Sequence, residues 1–325
     1  MTISRRAALA APLAAGLALP ALAQSQAWPS GPIRIIVPFA AGGSTDAVAR
    51  IATPGLTQRL GVPVVVENRS GAAGSLGTGA VATSRPDGNT WLLTFDSHAT
   101  LPALLPHLPF NLTGDLDPVL LIGGAPYVIA VRPDKPYRSL ADIVDAARKA
   151  PDAVNYGSTG NGTLGHLTMV MLGARTNTRM AHLPYRGGGL AVNDTVAGHV
   201  EMMIGSAALV APQIAAGNLR PVVQFGPERL PALRDVPTAV ESGYPGLEAE
   251  AWWGVFAPHG TPPAIQQRMA QALQESYSDE RVKRTMTETQ QARLVLGGPE
   301  VLRPFLDRQI ALWGGLVTEH RVQAD

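Results

Sequence analysis

In PIRIIVPFAAGGSTDAVAR, a mainly apolar run from Ile33 to Phe39 reaches Gly42-Gly43 within three residues and then Ser44-Thr45-Asp46. That order is a strand, a tight turn and a helix start. Gly42 and Gly43 admit backbone conformations closed to other residues, and Ser44, Thr45 or Asp46 can cap a helix whose first turn leaves amides without partners. Such amides, at the positive end of the helix dipole, suit a carboxylate or a phosphate. An ordinary α/β turn has the same appearance, so this segment alone leaves both readings open.

The rest of the chain repeats the pattern. VPVVVEN and TWLLTF read as further strands on either side of the glycine-rich RSGAAGSLGTGAVATSRPDG, and continuous β-branched runs between helices indicate a parallel sheet covered on both faces. The first helix, Thr45 to Leu60, carries Val48, Ile51, Gly55, Leu56 and Leu60 on one stripe, and Pro54 is expected to kink or split it. The apolar run Asp117 to Asp134, broken by Gly123-Gly124, predicts a strand passing from one domain into another. Ser139 to Ala150 reads as a helix with a Ser139/Asp142 capping box and Leu140, Ile143, Val144 and Ala147 facing inward.

A second copy of the design follows: a short strand at AVNYG, the turn STGNGTLG, and a helix with Leu164, Leu167, Val170, Met171 and Ala174. Beyond HLPYRGGG come a helix near Leu190 to Ala197 and strands at EMMIG and RPVVQF. AWWGVFAP then serves as a second crossover before a helix start at Thr261-Pro262-Pro263. Ile265, Met269 and Leu273, then Leu302, Phe305, Leu306, Ile310 and Trp313, mark the terminal helices.

Composition narrows the function. Residues 1–23 read as a targeting segment, with Arg5-Arg6, an apolar run and a small-x-small cleavage site ending at Ala23; SRRAAL also has the look of a twin-arginine signal. The whole chain has 26 basic and 25 acidic residues, so without Arg5 and Arg6 it has 24 against 25. No basic stripe for nucleic acid is present. The absence of cysteine excludes disulfides, zinc-thiolate sites and cysteine nucleophiles.

The catalytic motifs fall short. GNGTLG (160–165) and GTGAVA (77–82) fit dinucleotide fingerprints, but Gly77 lies ten residues past the end of its strand at Glu67 and Gly160 has no acid at the ribose distance, though Asp96 keeps the Gly77 match open. AGSLG and YGSTG each miss the serine-hydrolase elbow by one residue. The seven histidines show no metal spacing and read mostly as loop or surface residues. His166, on the first turn of its helix, can cap, face solvent or reach a ligand. Asp46, Asp96 and Asp194 read as caps or strand ends. Trp252-Trp253, adjacent on a strand, point to opposite faces, so at least one belongs to the core. Tyr185-Arg186, before three glycines, can hold a carboxylate or keep a loop wet.

Taken together, two open helix starts without a nucleophile, metal set or cofactor site point to capture of an anion. At this point the chain resembles the solute receptors of tripartite tricarboxylate transporters, the Bug receptors. WPSGPIRIIVPFAAGGSTDAVAR, VVVENRSGAAGSLGTGAVATSRPDGNTWLL, LADIVDAARKAPDAVNYGSTGNGTLGHL, HLPYRGGGLAVNDTVAGHVEMM and DVPTAVESGYPGLEAEAWWGVFAPHGTP carry the likeness, in that order. It implies an α/β protein of two doubly wound lobes around a ligand cleft, like a type II periplasmic binding protein. Residues 24–126 with 252–325 would form one lobe and 127–251 the other, with hinge crossovers near 123–131 and 250–258.

By the same likeness, Ala40, Gly42, Gly43, Ser44, Thr45 and Asp46 would line one wall of the site. Ser158, Thr159, Gly160, Asn161, Thr163 and His166 would line the other, beside Tyr185 and Arg186. The family pinches one ligand carboxylate through backbone groups and ordered water. The chain departs from the family pattern at Ala41, at Pro54 and in GSAAL (205–209), which lacks the acid often found there. The expectation is a periplasmic, monomeric receptor without cofactor, metal or turnover. Its partners would be a small carboxylate and the permease subunits of a tripartite transporter; a membrane-kinase sensor and an exported enzyme are the rivals.

Overall fold

The computed structural model describes residues 28–323, so the targeting segment and its cleavage site lie outside the described residues. In chain order the regular elements are β1 (Ile33–Val37), α1 (Ser44–Leu60), β2 (Val64–Asn68), α2 (Ser75–Ala82), β3 (Thr90–Phe95), α3 (Leu101–Leu104) and β4 (Leu116–Val131). Then come α4 (Leu140–Lys149), β5 (Asn155–Ser158), α5 (Leu164–Thr176), β6 (Ala181–Pro184), α6 (Gly188–Ala197), β7 (Met202–Ser206), α7 (Ala207–Ala215) and β8 (Arg220–Gln224). The chain ends with β9 (Glu250–Pro258), α8 (Pro263–Ser278), α9 (Glu280–Arg284), β10 (Arg293–Gly297) and α10 (Pro299–Glu319).

Strand order is β2-β1-β3-β9-β4-β7-β5-β6, with β8 and β10 also bonded to β4. Two parallel groups, β2-β1-β3 and β7-β5-β6, are therefore joined through antiparallel β9 and β4. β4 makes the join by changing partners along its length. Leu116 to Pro126 pairs with β9, whereas Tyr127 to Val131 pairs with β7. All of β4 except Asp117 is buried, which is why it reads as one long apolar run. Gly123-Gly124 keeps that run intact where strands crowd it: a Cβ on Gly124 would stand 2.6 Å from the Ala251 carbonyl, and one on Gly123 would collide with the Arg293 carbonyl.

Pro54 does not split α1, which is assigned as one helix from Ser44 to Leu60. Its inner face is held from both sides: Val48, Ala49, Ala52 and Leu56 are buried, and Gly55 lies close enough to α8 that a Cβ would meet Ser276 Oγ at 3.0 Å. Tyr277 of α8 also donates to the Val48 carbonyl at 3.0 Å. Tertiary packing thus offsets the amide donor that proline lacks. In α5 the buried apolar side chains are Leu164, Leu167, Met169 and Leu172, with Thr168 buried beside them; Val170 and Met171 are half-buried and Ala174 is exposed, so the core face is rotated from the expected stripe. The Ser139/Asp142 capping box forms as expected and Leu140, Ile143, Val144 and Ala147 are buried. Trp252 and Trp253 are both buried, in separate hydrophobic clusters on opposite faces of β9.

Candidate functional site

Strand β1 delivers the chain to Phe39-Ala40, and the turn beyond it rises into α1. Only Gly42 takes a left-handed conformation there (φ 84°); Gly43, at φ −83°, has a backbone open to any residue. Gly43 itself is the N-cap, so Ser44, Thr45 and Asp46 are the first three helical residues and none of them is the cap. Asp46 instead reaches back to accept the Gly42 amide at 3.1 Å, and also bonds Arg50 at 2.9 Å and Asn68 at 3.0 Å. Burial alone would push its carboxyl up, but these three partners hold it below the usual carboxylate range. The one acid on the loop is therefore neutralised locally, away from the opening.

The second loop leaves β5 at Ser158. Gly160 (φ 133°) and Gly162 (φ 70°) turn the chain, and Thr163, the N-cap of α5, donates its hydroxyl to the Gly160 carbonyl at 2.8 Å. Ser158 is fully buried, 2.7 Å from His182 Nε2 and bonded to Gly160. Behind the loop the imidazoles of His166 and His182 stack 3.9 Å apart, and His166 Nδ1 accepts the Gly162 amide at 3.0 Å. Burial, then the neighbouring His166, lowers the His182 pKa to about 3. The pair thus braces the loop from its far side and borders a separate cavity of about 470 Å³.

Between the two loops lies a small cavity of about 30 Å³. Ala40, Gly43, Ser44 and Thr45 line it from one side and Thr159 and Thr163 from the other. Gly187, Gly188, Ser206 and Leu209 complete the second side, and Phe39 and Phe95 add an aromatic wall on the first. The sides nearly touch, since a Cβ on Gly187 would stand 3.4 Å from that of Ala40 and one on Gly162 would overlap Leu104.

Four N-cap residues meet in this lining: Gly43 of α1, Thr163 of α5, Gly187 of α6 and Ser206 of α7. In none of the four does the cap side chain bond into its own first turn. Each start carries roughly half a positive charge from its dipole, so about two charge equivalents face the cavity without a basic side chain in its lining. Two hydroxyls are also left over: Thr159 Oγ1 and Ser206 Oγ are buried without a partner. A buried hydroxyl without a partner is costly, and an anion seated here would satisfy it.

Other predicted site residues stand outside this lining. Gly42 and Asp46 shape the first loop; Ser158, Gly160, Asn161 and His166 belong to the frame of the second. Tyr185 donates to Asp194 at 2.8 Å, and burial, then that carboxylate, raises its hydroxyl to about 12; Arg186 is exposed. Asp194 lies inside α6, neither a cap nor a strand end. His98 also differs from expectation: it is buried against Phe256 at 4.7 Å, with both ring nitrogens unpartnered and its pKa lowered to about 3 by burial. Phe39, Phe95, Gly187, Gly188, Ser206 and Leu209 were not among the predicted residues. Two sequence signals lay close to them, the glycine run after Arg186 and the missing acid in GSAAL.

Residues 48–320 match the pattern of the tripartite tricarboxylate transporter family receptor. The chain belongs to that family. The chain is similar to the protein BugT of Bordetella pertussis, 36% identical over 307 residues and covering 94% of this chain and 93% of BugT. Among solved receptor structures it is similar to the periplasmic binding protein BugD, with a TM-score of 0.86 and 31% identity over 92% of this chain and all of the other. A Rhodopseudomonas palustris protein solved with adipate has a TM-score of 0.86 and 28% identity, covering 91% of this chain and 99% of its own. MatC of the same organism, solved with malate, gives 0.83 and 30%, covering 89% and 100%. The chain is thus a receptor of the periplasmic-binding-protein fold, in a family of binding proteins.

Proposed function

We propose that this receptor captures a small carboxylate between its two lobes and hands it unchanged to the membrane subunits of a tripartite transporter. The observation that carries the reading is the meeting of four helix starts, uncapped by their own side chains, on one cavity that also holds two unpartnered hydroxyls. Hydrogen bonds to a charged group contribute roughly 1.5–3 kcal/mol each, so four to six donors, less the several kcal/mol lost on association, reach the roughly −8 kcal/mol of micromolar binding. The carboxylates bound by two similar structures, adipate and malate, support the same class of ligand. Ala40, Gly43, Ser44, Thr45, Thr159 and Thr163 would touch the ligand. Gly42, Asp46, Ser158, Gly160, Asn161 and His166 would hold the loops, and Tyr185 and Arg186 would stand at the rim.

The lobes would be residues 24–126 with 252–325, and 127–251, moving about the crossovers near 123–131 and 250–258. The receptor would be monomeric, exported by the segment that ends at Ala23, and free of cofactor and turnover. A thermal-shift screen of mono-, di- and tricarboxylates, aromatic acids, amides and nicotinamide nucleotides tests the proposal. Stabilisation by one or more carboxylates is the expected result; stabilisation by nucleotide alone overturns it.

A further inference from the structure

The lining of the cavity says more about the ligand than its charge sign. We infer that the preferred ligand is a short monocarboxylate with an apolar body, an inference that rests on the proposed capture of a carboxylate in this cavity. Three observations point the same way.

Among the described residues no Lys, Arg, His, Asp or Glu lines the cavity, so the positive potential of the lining itself comes from the four helix starts. Those starts share one space of about 30 Å³, which makes a single anion seat. A second carboxylate held within the lining would be buried beside side chains that offer it no charge partner, and Arg186 at the rim is exposed.

The apolar part of the lining is specific in place. Phe39 and Phe95 pack edge to face at 6.1 Å, and Phe95 is backed in turn by Trp253 at 6.0 Å. Opposite in the chain, Leu209 sits on the first turn of α7, in the GSAAL segment that lacks an acidic residue. It lies so near α6 that a Cβ on Gly188 would stand 2.5 Å from its Cδ2. The ligand's body therefore meets two phenyl rings and an isobutyl group beside the lining hydroxyls, which favours an apolar body over a second charged group.

Size sets the length. A water needs roughly 10–15 Å³ of such space, so the cavity takes about two to three water-sized groups, the bulk of a carboxylate head alone, and only a short body can follow it. Longer acids require the lobes to stand further apart than they do here.

Calorimetric titration of the refolded, ligand-free mature protein with propionate, butyrate, succinate, citrate and propionamide tests the inference. Propionate or butyrate is expected to bind at least about tenfold more tightly than succinate or citrate, a difference of about 1.4 kcal/mol, with propionamide silent. Succinate or citrate binding as tightly as the monocarboxylates, or binding when they do not, overturns the short monocarboxylate while leaving carboxylate capture in place. No binding by any of the four acids overturns the short monocarboxylate as well, while propionamide binding as tightly as propionate removes carboxylate capture itself.

Discussion

Ser206 shows how a single hydroxyl comes to matter. It is the N-cap of α7, yet its Oγ bonds nothing in its own helix and lies buried in the cavity lining. Ser206→Ala therefore removes an unsatisfied group from the free protein and a donor from the bound one. It is expected to leave thermal stability unchanged or slightly raised while weakening carboxylate binding by about ten- to a hundredfold, the range of one hydrogen bond to a charged group. Melting curves and calorimetry on the same preparation check both halves. Sequence could not single this residue out, because its role depends on β7 ending beside two loops more than forty residues away in the chain.

His98 is the corresponding case for stability. Burial lowers its folded pKa to about 3 from 6.5, so it adds stability that is complete above 6.5 and is lost as pH falls toward 3. His182 shifts the same way; Asp96, raised well above its usual value by burial despite its bond from Tyr127, acts in the opposite sense. A comparison of wild type with His98→Gln separates the first contribution from the others. Between pH 7.5 and 5.0 the wild type is expected to lose about 2 kcal/mol more than the variant, from 1.36 kcal/mol per unit over the span below 6.5. Urea denaturation at the two pH values measures it.

Among the elements, the helices that declare themselves by local chemistry were the legible ones. Ser139 with Asp142 starts α4, and Pro262-Pro263 starts α8, because capping and proline placement act within one turn. Pro54 misleads because its effect is decided by α8 packing across Gly55. The second loop has the same dependence on its surroundings. Gly162 combines a left-handed backbone with contact so close that Leu104 would overlap any Cβ. Gly162→Val is expected to hold the loops apart and weaken ligand binding by at least about tenfold, through strain of about 1–2 kcal/mol in the left-handed region and the added bulk. Unchanged affinity by calorimetry, with far-ultraviolet circular dichroism confirming a folded protein, would count against the loop's part in binding.

At the scale of the molecule, β4 and β9 tie the two parallel strand groups together, and one side-chain bond spans the same junction. Tyr127, on the half of β4 that pairs with β7, donates to Asp96 at the end of β3 at 2.6 Å, with both groups buried. Tyr127→Phe leaves the Asp96 carboxyl with one fewer partner and is expected to cost about 1–3 kcal/mol in denaturant stability. Because the bond joins groups from both halves, small-angle scattering of the variant is expected to show a more open average shape that contracts when a carboxylate is added. A profile identical to wild type, with and without ligand, would show that the bond does not restrain the lobes.

The βα pattern, the glycine turns that lead into α1 and α5 and the shortfall of the catalytic motifs were decided by sequence alone, because strand burial, glycine turns and residue spacing are local properties written within a few positions. The convergence of α6 and α7 on the cavity of α1 and α5, the turning of Asp46 and His166 away from it, and the burial of His98 were decided only by the tertiary structure. These depend on which residues distant in the chain come to share one space, and therefore on strand order and lobe packing.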